Sequence, residues 1–284
     1  MRTWNEYCQD QAEKDRWEYR CPKCKCSRSL RHNTGFGRWK LPFSTLLCII
    51  WAWTNDHSIK NTCQFINGAH ERSVVRIFKW LRKLVRQFQV ENPTQLGGED
   101  DIVEIDESKF GKKRKYNRGR RHRGKWVIGL LSRTSGEFVL KAVDKRNRRT
   151  LIPIIIDHVK PRSTVYTDDW KAYGNLRYLG LGYRHRVVVH ARHFVNRDAV
   201  DEPVHTNTIE GRWSLVKERI KAMHGIDNRH GVNLLLHEIS WKNCRHVKEN
   251  PFLEILKLIA NDSKDTDIGA NRSMRDLNDV RRGV

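Results

Sequence analysis

The spacing of apolar residues changes near residue 92. Upstream, apolar positions recur with helical spacing and predict one helix around Leu46–Trp53, a shorter one around Ile59–Ile66 and a long one over Glu71–Phe88. Asn67-Gly68 interrupts the pattern between the second and third helices. A short helix, a glycine-containing turn and a longer helix predict a helix-turn-helix, although helical hairpins of this shape also occur as plain structure.

Downstream of a breaker cluster at Asn92–Gly98, strand patterns alternate with helical patterns. Arg133–Gly136 carries a hairpin signal between two of the strands. This order of elements predicts an α/β fold with a mixed sheet flanked by helices. The predicted strands are Ile102–Asp106, Trp126–Ser132, Glu137–Val143, Thr164–Thr167 and Arg186–His190, and the predicted helices are Arg149–His158, Thr208–Met223, Leu234–Asn243 and Phe252–Ala260.

These patterns divide the chain into four segments. Residues 1–40 form a partial zinc-ribbon-like segment, and residues 41–92 form a small helical domain with the helix-turn-helix. Residues 99–246 hold the mixed sheet, and residues 247–284 hold a C-terminal helix and a tail. From Asn261 the chain is polar and charged with few large apolar residues, which predicts disorder.

The chain is strongly basic. Lysine and arginine number 55 against 33 acidic residues among 284, so the formal net charge is +22. This excess predicts a polyanionic partner, and double-stranded DNA fits it better than an anionic membrane does. The longest apolar stretches, Leu46–Trp53 and Leu151–Ile156, are too short to span a bilayer. A solvated basic surface is the alternative.

The seven cysteines do not have the pattern of a disulfide framework, which favours an intracellular, reducing compartment. Cys21-Pro22-Lys23-Cys24 has the spacing of one zinc knuckle, so Cys21 and Cys24 are candidate Zn²⁺ ligands. A complete zinc ribbon needs a second such pair, and free thiols in this segment are therefore the alternative.

Three short stretches each offer a carboxylate. Asp106 and Asp168 follow β-branched runs that predict strands, and Glu210 lies in the first turn of a predicted helix. Two acids at strand ends and a third on a later helix can converge on two Mg²⁺ ions, which together can hold the attacking and leaving oxygens of a phosphodiester. A turn former or N-cap is the alternative role for Asp106.

Residues next to these acids have predicted supporting roles. Side chains alternate along a strand, so Asp168 at the strand end is assigned to the metal and Asp169 to capping the aromatic segment that follows. Asn207 and Lys217 share a helix face with Glu210. An amide and a lysine in this stripe suit a supporting polar group and a phosphate contact, and a solvated helix face is the alternative.

A basic segment follows Asp106. Nine of the fourteen residues 112–125 are lysine or arginine, which suits phosphate contacts beside the acids and also fits a nuclear-import signal. His190, His193 and His205 are predicted to orient DNA or to stabilise a loop, and zinc ligation is the alternative. The residues predicted to bind DNA are Lys112, Lys113, Arg114, Lys115, Arg118, Arg120, Arg121 and Arg123, together with Arg72 and Arg76 on the long helix.

Five motifs of the chain are Ile105–Gly111, Lys115–Arg120, Gly124–Val127, Tyr166–Tyr173 and His205–Trp213. Together, over about residues 99–245, they resemble the transposase domain of Merlin-type DNA transposons and their ISXO-like insertion-sequence relatives. The resemblance implies a ribonuclease-H-like fold, a DDE-type triad at Asp106, Asp168 and Glu210, and two Mg²⁺ (or Mn²⁺) ions. Some relatives use an asparagine as the third residue, so Asn207 is the alternative there.

The resemblance also implies that the protein functions as a cut-and-paste transposase. Residues 1–91 would bind the terminal inverted repeats, and residues 99–245 would cleave and transfer the DNA strands. Such a protein works as a homo-oligomer on transposon ends and target DNA, and in the nucleus if the host is a eukaryote. Two alternatives stay open: a transposase-derived DNA-binding protein without catalytic activity, and a ribonuclease-H-like nuclease without strand transfer.

Overall fold

The computed structural model describes residues 18–20, 22–25, 27–29, 31, 34–66, 69–110, 124–188, 204–222 and 229–262. The chain divides into two compact units, one formed by residues 1–85 and 250–284 and the other by residues 86–249. Within the described ranges, every helix is too short or too polar to cross a membrane. The boundaries of the four segments assigned from the sequence remain predictions.

The described residues of the first unit form a hairpin and four helices. Strands β1 (Glu18–Arg20) and β2 (Ser27–Ser29) pair antiparallel on either side of the predicted zinc knuckle. The helices are α1 (Phe43–Thr54), α2 (Ile59–Phe65), α3 (Glu71–Glu91, which runs past the unit boundary) and a last helix over residues 251–262.

The predicted helices of this unit are confirmed. The Ser58 side chain accepts a hydrogen bond from the Asn61 backbone N–H and so caps α2 at its start. Apolar side chains at helical spacing are fully or almost fully buried, and they include Leu46, Ile49, Ile50 and Trp53 of α1 and Val74, Ile77 and Leu81 of α3. The DNA-binding role of this helical arrangement stays a prediction.

The second unit is built on a five-stranded mixed sheet. Its strands are β3 (Ile102–Phe110), β4 (Lys125–Ser132), β5 (Phe138–Val143), β6 (Thr164–Asp168) and β7 (Arg184–Val188). Their order across the sheet is β5-β4-β3-β6-β7. β3–β4 and β4–β5 pair antiparallel, whereas β3–β6 and β6–β7 pair parallel. This is the strand arrangement of a ribonuclease-H-like fold, so the predicted fold class is confirmed.

Helices cover both faces of the sheet. The helices are α4 (Arg148–His158), α5 (Asn207–Ala222), α6 (Arg229–Asn243) and α7 (Arg245–Glu249), with 3₁₀ turns at Lys171–Tyr173 and Leu176–Tyr178. One face of the sheet shares a buried core with α4, and the other face shares a second core with α5 and α6. Alternate residues of each strand therefore meet different helices.

Some predicted bounds are wrong. Strand β3 continues four residues past Asp106 because β4 pairs with it as far as Phe110. Helix α6 begins at Arg229 instead of Leu234. The last helix includes Asn261, so order extends slightly beyond the predicted start of disorder, and residues 263–284 of the predicted tail lie outside the described residues.

Gly129 in β4 is required by close packing. Its register partner in β3 is Asp106, and a Cβ built on Gly129 would lie 2.7 Å from the Trp213 ring and 2.9 Å from the Phe138 ring. Both rings are buried, so neither can move aside without disturbing the core between the sheet and α5.

We therefore expect Gly129→Ala to destabilise the second unit by about 1–3 kcal/mol through overpacking. Urea denaturation monitored by circular dichroism would measure the loss. Gly211→Ala is the matched control, because a Cβ on Gly211 meets nothing within 4 Å. Alanine should be neutral or stabilising there by up to about 1 kcal/mol. Equal stability of Gly129→Ala and wild type would contradict the packing argument.

Candidate functional site

Asp106 and Asp168 lie beside each other on neighbouring strands. Glu104 of β3 is the register partner of Tyr166 of β6, and each aspartate lies two residues further along its own strand. The prediction that Asp106 ends a strand is wrong, since β3 continues beyond it. Asp106 instead lies just beyond the last residue pair that β3 shares with β6, while β3 remains paired with β4.

Two hydrogen bonds orient the Asp106 carboxylate. Its Oδ1 accepts from the backbone N–H of Glu107 at 2.8 Å, and its Oδ2 accepts from the indole N–H of Trp213 at 2.9 Å. Burial raises the pKa of Asp106, and the nearby negative charges of Asp168 and Glu210 raise it further, while the two hydrogen bonds lower it. The carboxylate is thus held in place while partly withdrawn from water.

Asp168 faces the same site as Asp106, but the predicted role of Asp169 is wrong. Asp168 Oδ1 accepts from the Trp170 backbone N–H at 3.2 Å. The following 3₁₀ turn has Trp170 at its cap position and no side-chain cap. Asp169 is exposed and does not cap this turn, because the adjacent strand-end aspartate already bonds the amide.

Glu107 is a member of the site that the sequence argument missed. Its side chain is 0% exposed, and Oε1 accepts a 2.5 Å hydrogen bond from the Tyr173 hydroxyl. Oε2 accepts no hydrogen bond and lies 3.7 Å from Nη1 of Arg146. Burial foremost, with the charges of Asp168 and Asp106, raises the pKa of Glu107 to about 7, although Tyr173 and Arg146 act to lower it.

Asp106, Glu107 and Asp168 together form a cluster that could hold a metal ion. One carboxylate oxygen from each lies within 4.8 Å of the others. All three donors are oxygens, the ligand type that Mg²⁺ and Mn²⁺ prefer. Carboxylates this close repel one another, and a divalent cation would relieve that repulsion. The donor set therefore fits the cation that the sequence argument expects.

The other predicted site residues on α5 lie near this cluster without joining it. Glu210 is exposed and outside the three-acid cluster, but its charge is close enough to Asp106 to raise the pKa of that carboxyl. Asn207, the first residue of α5, and Lys217 are also exposed. Trp213 connects this helix to the acids, since it follows Glu210 by three residues and bonds Asp106.

Aromatic rings and one arginine border the acids. The guanidinium carbon of Arg146 lies 4.1 Å from the ring centroid of Trp126 and 4.6 Å from that of Trp170. The Trp170 indole N–H donates to the Arg146 backbone oxygen at 2.9 Å. These contacts hold the positive charge of Arg146 next to Glu107 by cation–π attraction.

Some of the predicted DNA-binding and zinc residues are described by the structure and others are not. The basic residues at 112–123 lie outside the described residues, as do Cys21, His190 and His193. Arg72 and Arg76 are exposed on α3, and Arg76 lies over the Trp39 ring at 5.6 Å from its centroid. Cys24 is exposed. The roles assigned to these residues stay predictions.

Glu107 should make the stability of the metal-free protein depend on pH. Its pKa is about 7 when folded and near 4.5 when unfolded, so the folded state retains the proton more strongly. This contribution to the free energy of unfolding is fully present below pH 4.5 and is lost as the pH rises through 7, a change of about 3 kcal/mol. We expect Glu107→Gln to remove this contribution from the dependence of the unfolding free energy on pH. Urea unfolding in the presence of EDTA, repeated across that pH range, measures this dependence.

The exposed Glu218 provides the matched control. Glu218→Gln should unfold with the wild-type dependence on pH. An unchanged slope in Glu107→Gln would show that burial of this carboxyl does not control the stability in that range.

Comparisons with known proteins identify a family for this chain. A family model described as the ISXO2-like transposase domain matches residues 95–243, more than half of the chain. An uncharacterized transposase-like protein of Haemophilus influenzae (strain ATCC 51907 / DSM 11121 / KW20 / Rd) is 31% identical over 115 residues, which cover 40% of this chain and 85% of that protein.

Two solved structures are similar at low TM-scores. The catalytic core domain of BIV integrase has a TM-score of 0.35 and 14% identity, covering 50% of this chain and 83% of that chain. A simian T-cell lymphotropic virus intasome in complex with PP2A regulatory subunit B56 gamma has a TM-score of 0.33 and 12% identity, covering 69% and 67%. The fold assignment rests on the strand order and not on these likenesses. On the match over residues 95–243, the chain belongs to the ISXO2-like transposase domain family.

Proposed function

We propose that this protein is a DDE-type DNA transposase that binds terminal inverted repeats, cleaves DNA and transfers the cut strands. The observation that carries the proposal is the side-by-side placement of Asp106 and Asp168 on neighbouring strands of the sheet. The charge of Glu210 on α5 is close enough to raise the pKa of Asp106, which supports Glu210 as the third acid. Family membership supports the same chemistry.

The proposed metal ligands are Asp106, Asp168 and Glu210. When bound, two Mg²⁺ or Mn²⁺ ions would supply positive charge at the attacking and leaving oxygens of a phosphodiester. The protein's own contribution is orientation, because Trp213 and a backbone amide hold Asp106 and the Trp170 amide holds Asp168. Asn207 is the alternative third residue.

Other residues have proposed supporting roles. Lys217 lies two helical turns beyond Glu210, where an ammonium group suits a DNA phosphate. The basic segment over residues 112–125 suits further phosphate contacts, and the net charge of +22 favours DNA as the partner. Cys21 and Cys24 remain proposed ligands of a Zn²⁺ ion.

The finer assignments also belong to this proposal. The motifs Ile105–Gly111 and Lys115–Arg120 support a Merlin-type member of the family. Two transposon ends must be handled together with target DNA, which supports a homo-oligomer. In a eukaryotic host the activity would be nuclear.

Removal of one carboxylate should abolish the chemistry. Asp106→Asn and Asp168→Asn should each reduce Mg²⁺-dependent cleavage by about 1000-fold or more, because charge stabilisation by a correctly held metal contributes several kcal/mol. The substrate is a duplex carrying the inverted repeats that flank the gene, and gel electrophoresis measures both cut and joined products. Asp157→Asn, which changes an exposed aspartate on α4, is the matched control and should keep the wild-type rate.

Different outcomes would separate the alternatives. Persistent cleavage by Asp106→Asn would overturn the assignment of the acids. Cleavage by the wild type without joining of the ends to a target would favour a nuclease. Specific binding of the repeats without either reaction would favour a transposase-derived DNA-binding protein.

Arg72 and Arg76 should contribute to DNA affinity through phosphate contacts. The double change to Gln should weaken binding at all sequences alike and reduce the slope of log affinity against log salt by about 2, since each contact releases about one counterion. Fluorescence anisotropy across a salt series measures this slope. Lys257→Gln on the last helix is the control, and an unchanged slope in the double variant would remove α3 from the DNA interface.

A further inference from the structure

A buried ion pair joins β3 to the start of α5. Glu104 is 0% exposed, and its Oε1 accepts a hydrogen bond from Arg133 Nε at 2.6 Å. Its Oε2 accepts from the backbone N–H of Ile209 at 2.8 Å. Ile209 lies in the first turn of α5, where backbone N–H groups have no partner within the helix. Glu104 thus satisfies one of these groups and attaches the helix to the strand.

Arg133 extends the attachment to the residues before the helix. Its Nη2 donates to the backbone oxygen of His205 at 2.8 Å and lies 2.9 Å from the ring nitrogen Nδ1. The guanidinium also stacks on the Tyr166 ring at 4.9 Å from its centroid. One side chain therefore connects the hairpin after β4, the strand β6 and the approach to α5.

The attachment points flank Glu210. Residues 104 and 106 lie on the same face of β3, because side chains alternate along a strand. Glu104 bonds the amide of Ile209, and Asp106 bonds the indole of Trp213. Glu210 lies between these two bonded residues of α5, so its position relative to Asp106 is set from both sides.

Stability alone is a weak reason for this arrangement. The Glu104 side chain is fully buried and the Arg133 side chain is 18% exposed, so both charged groups lose most of their hydration. Well-packed apolar residues often stabilise a core as well or better. What the ion pair provides instead is a specific geometry, since its hydrogen bonds are satisfied in only one placement of α5 on β3.

We propose that Glu104 and Arg133 are positioning residues that set the distance of Glu210 from Asp106 and so complete the proposed metal site. This inference rests on the proposed function. Residues that orient metal ligands without contacting the metal typically change affinity or activity by 10- to 100-fold when replaced. Glu104 and Arg133 should behave in this way.

The test compares metal binding with thermal stability in the full chain. Binding of Mn²⁺ alone is measured by electron paramagnetic resonance of the free ion, at a temperature well below every Tm. Glu104→Gln should raise the half-saturating Mn²⁺ concentration by about 10-fold or more, with a parallel fall in the cleavage rate. Its Tm should also fall, because the largely buried Arg133 loses its counter-charge.

A second variant separates positioning from stability. Glu104→Gln with Arg133→Met removes both charges and should recover much of the Tm while Mn²⁺ binding stays weak. Return of Mn²⁺ binding together with the Tm would show a merely structural pair and overturn the inference. If Glu104→Gln does not fold, Arg133→Lys replaces it as the test. Lysine keeps the positive charge but cannot form the same hydrogen bonds. Mn²⁺ binding equal to that of the wild type in this variant would also overturn the inference.

The matched control is another buried ion pair on the same helix. Arg219 of α5 lies 3.1 Å from Glu238 of α6, which is 2% exposed. Glu238→Gln should lower the Tm and leave Mn²⁺ binding unchanged. If the wild type cleaves DNA and Glu104→Gln equals it, the positioning role fails alone. A different result would overturn the proposed function as well. In that result the wild type does not cleave DNA, and Asp106→Asn binds Mn²⁺ as the wild type does.

Discussion

The parallel pairing of β3 with β6 is the constraint on which the acidic site depends. It brings Asp106 and Asp168 to the same height in the middle of the sheet, where burial already raises the pKa of Asp106. Carboxylates in such a place repel each other when no cation is present. Hydrogen bonds from Trp213 and from the amides of Glu107 and Trp170 keep the oxygens oriented despite this repulsion. The site is therefore arranged before any cation binds, and a cation would relieve the repulsion.

Three neighbouring acids of β3 have three different environments, although the strand has only two faces. Glu104 and Asp106 share the face covered by α5, where the first anchors the helix and the second faces the site. Glu107 points to the other side, towards Tyr173 and Arg146, and stays buried next to the other acids. A run of acids in a sequence therefore does not have one role, because both the face of the strand and the position along it decide what each side chain meets.

The charge of the whole chain and the charge of the site have opposite signs. A net charge of +22 attracts a polyanion, whereas a cluster of carboxylates repels its phosphates at short range. A divalent cation between acids and phosphate would reconcile the two. Arg146, held between the rings of Trp126 and Trp170, places one fixed positive charge beside the acids and reduces the cost of burying Glu107.

The sequence by itself determined most of the secondary structure, because helical and strand periodicities are local. The bounds of most elements agree within a few residues, and the β-branched runs before Asp106 and Asp168 identified both acids. The extent of β3 past Asp106 depended on β4, and the turn after Asp168 depended on which of two adjacent acids bonds the Trp170 amide. Only the tertiary structure decided that Glu107 meets Tyr173, 66 positions away, and that Trp213 bonds Asp106, 107 positions away. These contacts follow from the register of distant strands and the placement of α5, which no local pattern encodes.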